Sequence, residues 1–121
     1  MKIYFVDDRP FEISRLWDKS GCGCEHELLP LEMFESTEVC LKNISRFKPD
    51  AIIVGYGLGA NKPDGAEVIK HILADGFQGY ILTNSGGGQS QFERNGIETD
   101  ADVSRDSDKL KEALSSLQTR R

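Results

Sequence analysis

The feature that most constrains this chain is the regular alternation of short apolar runs with longer amphipathic stretches. Five apolar runs are separated by segments whose apolar residues recur every three or four positions, the spacing of a helix face. Strands and helices that alternate at these lengths form a parallel sheet with helices on both faces. The sequence therefore predicts an α/β fold of five βα units, with residues 1–121 forming a single domain.

The predicted strands are short and rich in β-branched residues. Residues 3–6, Ala51–Val54 and 79–83 have the pattern of buried parallel strands. Residues 25–34 give a weaker signal, because Pro30 interrupts the alternation and favours the edge of the sheet. Residues 101–104 are predicted as a last, weak strand.

The third predicted helix has the most complete set of end signals. Asp64 precedes it, and Glu67 follows three residues later as an acidic form of the capping box. Gly76 stands where the helix is expected to end. Its predicted buried stripe consists of Val68, Ile69, Ile72 and Leu73.

The other helices are marked by individual capping residues. Pro10 suits the first turn of the first helix, and Gly21 can end that helix. Its apolar face carries Trp17, which is expected in the core. The predicted N-caps are Ser36 or Thr37 for the second helix and Asp106 or Ser107 for the last.

The charge pattern argues against polyanionic partners. The formal net charge is −5, and acidic and basic residues are interspersed, which disfavours direct binding to nucleic acid or anionic lipid. The apolar start of the chain runs into Asp7 and Asp8, so it is predicted to be a strand and not a signal peptide or membrane span.

The cysteines suggest a reduced, cytoplasmic protein, because three is an odd number and all lie in one third of the chain. Cys22, Cys24 and His26 alternate, so in an extended segment they would face one side and bind zinc or copper with Cys40 as a fourth ligand. Their spacing matches no common zinc pattern. A thiol or metal protein on this fold is therefore a minor alternative.

Two adjacent acids, Asp7 and Asp8, follow the first predicted strand. In open parallel sheets the ligand site lies at the carboxyl ends of the strands. Two neighbouring carboxylates repel each other unless a cation lies between them, and a magnesium ion is commonly held in this way. Acids at a strand end are equally often a solvated turn or a helix cap, so spacing alone leaves both interpretations open.

Five segments of the chain, in order and spacing, resemble the response-regulator receiver family of two-component signalling. They are YFVDDRP, KPDAIIVGYGLG with PDGAEVIKHI, GYILTNSG, NGIETDADVSR and the amphipathic terminal helix. The resemblance covers nearly the whole chain. It implies a flavodoxin-like (βα)5 doubly wound parallel sheet with strand order 2-1-3-4-5.

The resemblance also implies roles for individual residues. In the family an acidic pair binds magnesium, an aspartate after the third strand accepts phosphate, a Thr or Ser ends the fourth strand and a lysine ends the fifth. Asp7 and Asp8 match the acidic pair, and Thr83 matches the fourth-strand residue. Gly55 stands at the phosphoacceptor position, and Arg105 stands at the lysine position.

These departures have chemical consequences. Gly55 has no side chain, so it cannot form an acyl phosphate and leaves the magnesium site one carboxylate short. Arg105 keeps a positive charge, and we expect its guanidinium to bridge Asp7 or Asp8 in place of an ion.

Two further positions depart from the family pattern. Asp102 stands where many members carry an aromatic switch residue, and Asn84 replaces a small residue, which is expected to narrow access beside Thr83. The following loop, residues 85–90, is rich in glycine and is expected to be mobile, before a short helix around Phe92. It lacks the Lys-Ser/Thr of a phosphate-binding P-loop.

The leading functional hypothesis is a receiver-like module that interacts with other proteins without being phosphorylated, and that is not an enzyme. The expected partners are a histidine kinase, another receiver or an output protein. No cofactor is expected, or at most weakly bound Mg²⁺. The alternative is a phosphoaccepting receiver in which glycine at position 55 is a substitution for the natural aspartate.

Overall fold

The computed structural model describes residues 1–119, which form a five-stranded, entirely parallel sheet in the order β2-β1-β3-β4-β5. This confirms the predicted fold class and strand order. The strands are β1 Lys2–Val6, β2 Glu27–Leu28, β3 Ala51–Val54, β4 Tyr80–Thr83 and β5 Ala101–Asp102. The helices are α1 Pro10–Ser20, α2 Thr37–Phe47, α3 Gly65–Ala74, α4 Ser90–Glu93 and α5 Ser107–Thr119, with a short 3₁₀ turn at Cys22–Cys24.

Alternate residues of the strands supply two separate cores, one on each face of the sheet. Ile3 and Phe5 of β1 face α1 and α5, where Trp17 packs edge-on to Phe5 with ring centroids 6.3 Å apart. Tyr4 and Val6 face the opposite side, which α2, α3 and α4 cover. This period of two follows from the pleat of a strand. The strand ends are therefore held between two packed layers.

Local capping chemistry sets the helix ends, as predicted. Gly21 ends α1 in the left-handed conformation at φ 72°, which costs a glycine little. Ser36, and not Thr37, caps α2, because its Oγ accepts a hydrogen bond from the Val39 N–H at 3.2 Å. Asp64 accepts from the Glu67 N–H at 2.9 Å. At α5, Asp106 and not Ser107 accepts the first free N–H groups.

Three details of the predicted elements are wrong. The second strand pairs with β1 over two residues only: the Leu29 N–H still donates to the Ile3 carbonyl, and the chain leaves the ladder at Pro30, whose fixed φ restricts the backbone on both sides of it. The fifth strand stops at Asp102, because Ser104 and Arg105 adopt positive φ values of 47° and 56° and turn the chain. Leu73 is 46% exposed, so the buried stripe of α3 ends with Ile72.

The cysteine cluster is not assembled. Cys22–Cys24 form a 3₁₀ turn in which Cys22 is buried and Cys24 is exposed, so the residues do not alternate as in a strand. Cys40 belongs to the core on the opposite face of the sheet from Cys22. These thiols therefore do not converge on one metal ion, and all three are free. Within residues 1–119, no helix has the length and apolar character needed to cross a membrane.

Candidate functional site

The site lies where strand order reverses, between β1 and β3, at the carboxyl ends of the strands. The parallel register aligns Val6, Val54 and Thr83, the last residues of three neighbouring strands. The hydrogen bonds between strands continue one residue past the strand ends. The Gly55 N–H donates to the Val6 carbonyl and the Asn84 N–H donates to the Val54 carbonyl, both at 2.9 Å. This register brings the predicted positions Asp7, Gly55 and Thr83 to one edge of the sheet.

The carboxylate of Asp7 leans over Gly55. A Cβ atom built at Gly55 would lie 2.7 Å from Asp7 Oδ2 and 3.2 Å from Asp7 Cγ. A real Cβ does not approach an oxygen this closely, so a side chain at position 55 would require the Asp7 carboxylate to turn. Gly55 is not among the residues with positive φ, so its backbone conformation is open to other residues. The space of the absent side chain is thus taken by Asp7.

Asp7 is a buried acid with a perturbed protonation equilibrium. Its exposed fraction is 4%. The pKa of Asp7 is raised to about 6, first by burial and second by a hydrogen bond with the Asp8 side chain, while the Arg9 N–H, which donates to Asp7 Oδ1 at 3.1 Å, works in the opposite direction. Asp7 therefore exchanges its proton at a pH where an ordinary aspartate is fully ionised.

The positive charge beside the acidic pair belongs to Arg9, which the sequence analysis did not single out. Its Nε lies 3.9 Å from Asp7 Oδ1 and 3.7 Å from Asp8 Oδ1, and its Nη1 lies 3.0 Å from Glu12 Oε2. Arg9 directly follows the acids and precedes α1, so its side chain turns back over the same strand end. The position of Arg9 next to Asp7 and Asp8 in the sequence was the feature that could have predicted this contact.

Arg105 does not make the predicted bridge to Asp7 or Asp8. Its side chain forms no ion pair within residues 1–119, although it lines a cleft of about 110 Å³ beside Asp7. Its backbone N–H donates to Asn84 Oδ1 at 2.7 Å. The left-handed turn at Ser104 and Arg105 points the Arg105 backbone N–H toward Asn84. The residue types in this stretch do not predict a left-handed turn. The predicted pairing is therefore wrong, and Arg9 takes its place.

Thr83 is held by Asp102. The Thr83 side chain is fully buried, and its Oγ1 donates a hydrogen bond of 2.6 Å to Asp102 Oδ1. Ser104 Oγ donates to the other oxygen, Asp102 Oδ2. The carboxylate at the position of the family's aromatic switch residue thus fixes the threonine hydroxyl on one side and the β5–α5 turn on the other.

The loops above the sheet are tied to their neighbours. Lys62 Nζ donates to the Glu35 carbonyl at 2.8 Å, which joins the β3–α3 loop to the β2–α2 loop. Tyr56 packs edge-on to Phe92 of α4, with ring centroids 5.5 Å apart. In the glycine-rich loop the Ser85 hydroxyl donates to Gln91 Oε1 at 3.0 Å. The loop next to Gly55 is therefore held from both sides.

The side chains present are a poor match for the magnesium ion that the fold family implies. Magnesium needs oxygen ligands in near-octahedral geometry and usually carboxylates free to supply them. Within residues 1–119 the carboxylates at this end of β1 are those of Asp7 and Asp8. Asp7 is buried against Gly55, and the Arg9 guanidinium lies within 4 Å of both acids. No group of three potential metal-ligating acids, histidines or cysteines occurs in the described part of the chain.

The fold of this chain is that of response-regulator receiver domains. The RcsB response regulator of Salmonella typhimurium superimposes with a TM-score of 0.77 at 20% identity, over 100% of this chain and 61% of RcsB. The signal receiver domain of the putative LuxO repressor protein of Vibrio parahaemolyticus gives 0.75 at 17% identity, over 98% and 90% of the two chains. The response regulatory domain of MrkE from Klebsiella pneumoniae gives 0.72 at 17% identity, over 99% and 97%.

The similarity to these solved structures lies in the fold, at identities of 17–20%. No protein-family model matches the sequence, and no curated protein matches it.

Proposed function

We propose that this chain is a receiver-like signalling module of the two-component type that acts by binding other proteins and does not accept phosphate. The single observation that carries the proposal is the Asp7 carboxylate lying over Gly55, where the fold family has its phosphoacceptor. An acyl phosphate forms when a carboxylate oxygen attacks phosphorus, and glycine offers no such oxygen. The position is both without a nucleophile and filled from the side.

The neighbouring acids are poor substitutes for the missing nucleophile. Asp7 is buried, and its raised pKa leaves it partly protonated near neutral pH. Asp8 is more exposed, but its Oδ1 lies 3.7 Å from the Arg9 guanidinium, which competes for the carboxylate. Within residues 1–119, neither acid belongs to a group of three potential metal-ligating side chains. These contacts favour a site whose charges are satisfied within the chain.

The contact between Thr83 and Asp102 also supports a site that does not switch. Thr83 stands at a switch position of the family, where a Thr or Ser ends the fourth strand. Here its hydroxyl hydrogen already belongs to Asp102 at 2.6 Å, and a charge-assisted hydrogen bond of this kind is stronger than a neutral one. The module is therefore proposed to present one arrangement of its surface to its partners. The partners proposed are a histidine kinase, another receiver or an output protein, and no enzymatic activity is proposed.

The test is phosphorylation with acetyl phosphate and magnesium, followed by intact-mass analysis under conditions that preserve acyl phosphates. The expected result is no added mass on the native chain. Gly55→Asp is the matched comparison, because the backbone at this position does not require glycine. Labelling of Gly55→Asp alone would show that position 55 is what the native site lacks.

Stoichiometric labelling of the native chain that persists in Thr83→Ala would overturn the proposal. A second labelling experiment on Asp8→Asn would then show whether Asp8 is the acceptor. Loss of the label in that variant would identify this chain as a phosphoaccepting receiver with a displaced nucleophile.

A further inference from the structure

The excess of negative over positive charge in this chain arises in one segment. The chain has 20 acidic and 15 basic residues, which gives the net charge of −5. Residues 20–41 contain five glutamates and neither lysine nor arginine, so the rest of the chain has 15 charges of each sign. All five glutamates are exposed, and none forms an ion pair with another residue of the described range 1–119.

The strand within this segment, β2, forms one edge of the sheet. β2 is the outermost strand and pairs with β1 on one side. Beyond β2 the chain continues as an irregular stretch in which Met33 lies beside Asp7 through a single parallel bridge. Met33 is 66% exposed, among the most exposed large apolar side chains described. We define the β2-edge surface as Glu25, Glu27, Pro30, Glu32, Met33 and Glu35.

We propose that the β2-edge surface binds a lysine- or arginine-rich segment of a partner protein, with Met33 covered by an apolar residue of that segment. This proposal rests on the proposed function, a module that acts through protein contacts, and specifies one contact face. The unpaired negative charges of the glutamates surround the exposed Met33. A basic segment with one apolar residue at its centre would complement both the charges and the methionine. The excess of negative charge on this surface indicates that the partner segment is positively charged.

Other occupants fit the surface less well. A discrete cation needs converging ligands, and no group of three potential metal-ligating side chains is found within residues 1–119. A second copy of this chain would bring a further net charge of −5 toward a surface that is already acidic, and the two copies would repel each other. An added β-strand is opposed by Pro30, which cannot donate from the edge, and by the glutamates along it. Contact through side chains is the remaining mode.

The test is an NMR titration of the ¹⁵N-labelled, unphosphorylated full chain with a short capped peptide of lysines flanking a central leucine. The control peptide has glutamates in place of the lysines. We expect chemical-shift changes concentrated in residues 25–35 and affinity that falls with added salt. Changes centred on another face of the fold, or equal changes with the acidic peptide, would overturn the inference.

Two variants with the same net charge make the test specific. The first replaces Glu25, Glu27 and Glu32 with glutamine, and the second replaces three exposed glutamates elsewhere, Glu93, Glu98 and Glu112. We expect the first to weaken peptide binding about tenfold and the second less than about twofold. Equal weakening would mean a response to net charge alone and would contradict a defined surface.

The apolar anchor is tested separately. Met33→Ser should weaken binding about fivefold, because the exposed methionine loses its apolar contact with the peptide. An unchanged affinity would overturn the role of Met33. Concentration-dependent tumbling without peptide would instead identify a second copy as the occupant and overturn the basic-segment proposal. None of these outcomes depends on phosphate, so failure here is distinguishable from failure in the labelling experiment.

Discussion

The hydroxyl of Thr83 donates to the carboxylate of Asp102 across 2.6 Å, at the point where β4 and β5 end side by side. The contact joins a fully buried threonine to a half-buried acid, whose second oxygen accepts from Ser104. It couples the strand that ends at the site to the turn that begins α5. The stability of that turn is therefore expected to depend on the last residue of β4.

Thr83→Val tests this coupling, because valine keeps the shape of threonine and removes the hydrogen-bond donor. We expect a loss of about 1–2 kcal/mol in the free energy of unfolding, since the acceptor is charged. A double-mutant cycle with Asp102→Ala, measured by urea unfolding, should give a coupling of about 1 kcal/mol. Additive effects of the two changes would mean that the hydrogen bond contributes nothing to stability.

Arg9 and Arg105 provide a comparison between a paired and an unpaired arginine at the same site. Arg9→Ala removes the only guanidinium near Asp7 and Asp8 among the described ion pairs, and we expect a loss of about 1 kcal/mol in unfolding free energy. Arg105→Ala should change stability by less than about 0.5 kcal/mol. Chemical denaturation of both variants measures the difference. A larger loss for Arg105→Ala would restore the pairing predicted from the sequence.

The backbone at Arg105 leads to an opposite expectation for a different substitution. A non-glycine residue at φ 56° bears a cost of roughly 1 kcal/mol that glycine avoids. Arg105→Gly should therefore raise the melting temperature relative to Arg105→Ala, while the Asn84 contact with the backbone N–H is kept. Differential scanning calorimetry of the two variants makes the comparison. Equal melting temperatures would mean that the turn is not strained.

These contrasts show which parts of the structure were predictable from the sequence. Strands, caps and the strand order depend on periodicity and on residues within one turn, so Pro10, Gly21 and Asp64 were placed correctly. The partner of the acidic pair depends on how the β5–α5 turn directs Arg105, and a Ser-Arg pair carries no signal for a left-handed turn. Leu73 fits the helical spacing of its stripe but lies at the margin of the covered face.

The position of Asp7 over Gly55 could also not be predicted from the sequence. The resemblance to receivers identified the empty position, but it did not indicate which neighbour would fill it. The answer depends on the side-chain direction of Asp7 and on the register between β1 and β3. The Thr83–Asp102 contact is similar, because both residues were noted separately and only the β4–β5 pairing brings them together.

The buried Asp7 predicts an unusual pH dependence of stability. Its pKa is about 6 in the folded chain, where burial raises it, and about 4 when unfolded. The folded chain therefore favours the protonated form of Asp7 more than the unfolded chain does. Asp7 contributes most stability below about pH 4 and loses that contribution as pH rises through 6. The loss between these values amounts to about 3 kcal/mol.

Asp7→Asn provides the control for this effect, because it keeps the shape and removes the titration. Urea unfolding between about pH 4 and pH 7 should show the stability of the native chain falling relative to that of Asp7→Asn. Other carboxylates titrate in both proteins and cancel in the difference. Parallel pH profiles would mean that Asp7 has an ordinary pKa.

Magnesium should have little effect on the native chain. Asp7 and Asp8 already have the Arg9 guanidinium within 4 Å, and no carboxylate stands at position 55. With weak binding, millimolar magnesium stabilises by only a few tenths of a kcal/mol, a rise of about 1 °C or less in melting temperature. Gly55→Asp combined with Arg9→Ala supplies the third carboxylate and removes the competing charge, so its melting temperature should rise clearly with magnesium. Sodium chloride at equal ionic strength is the control. A clear magnesium-specific rise in the native chain would show that the two aspartates alone hold the ion despite Arg9.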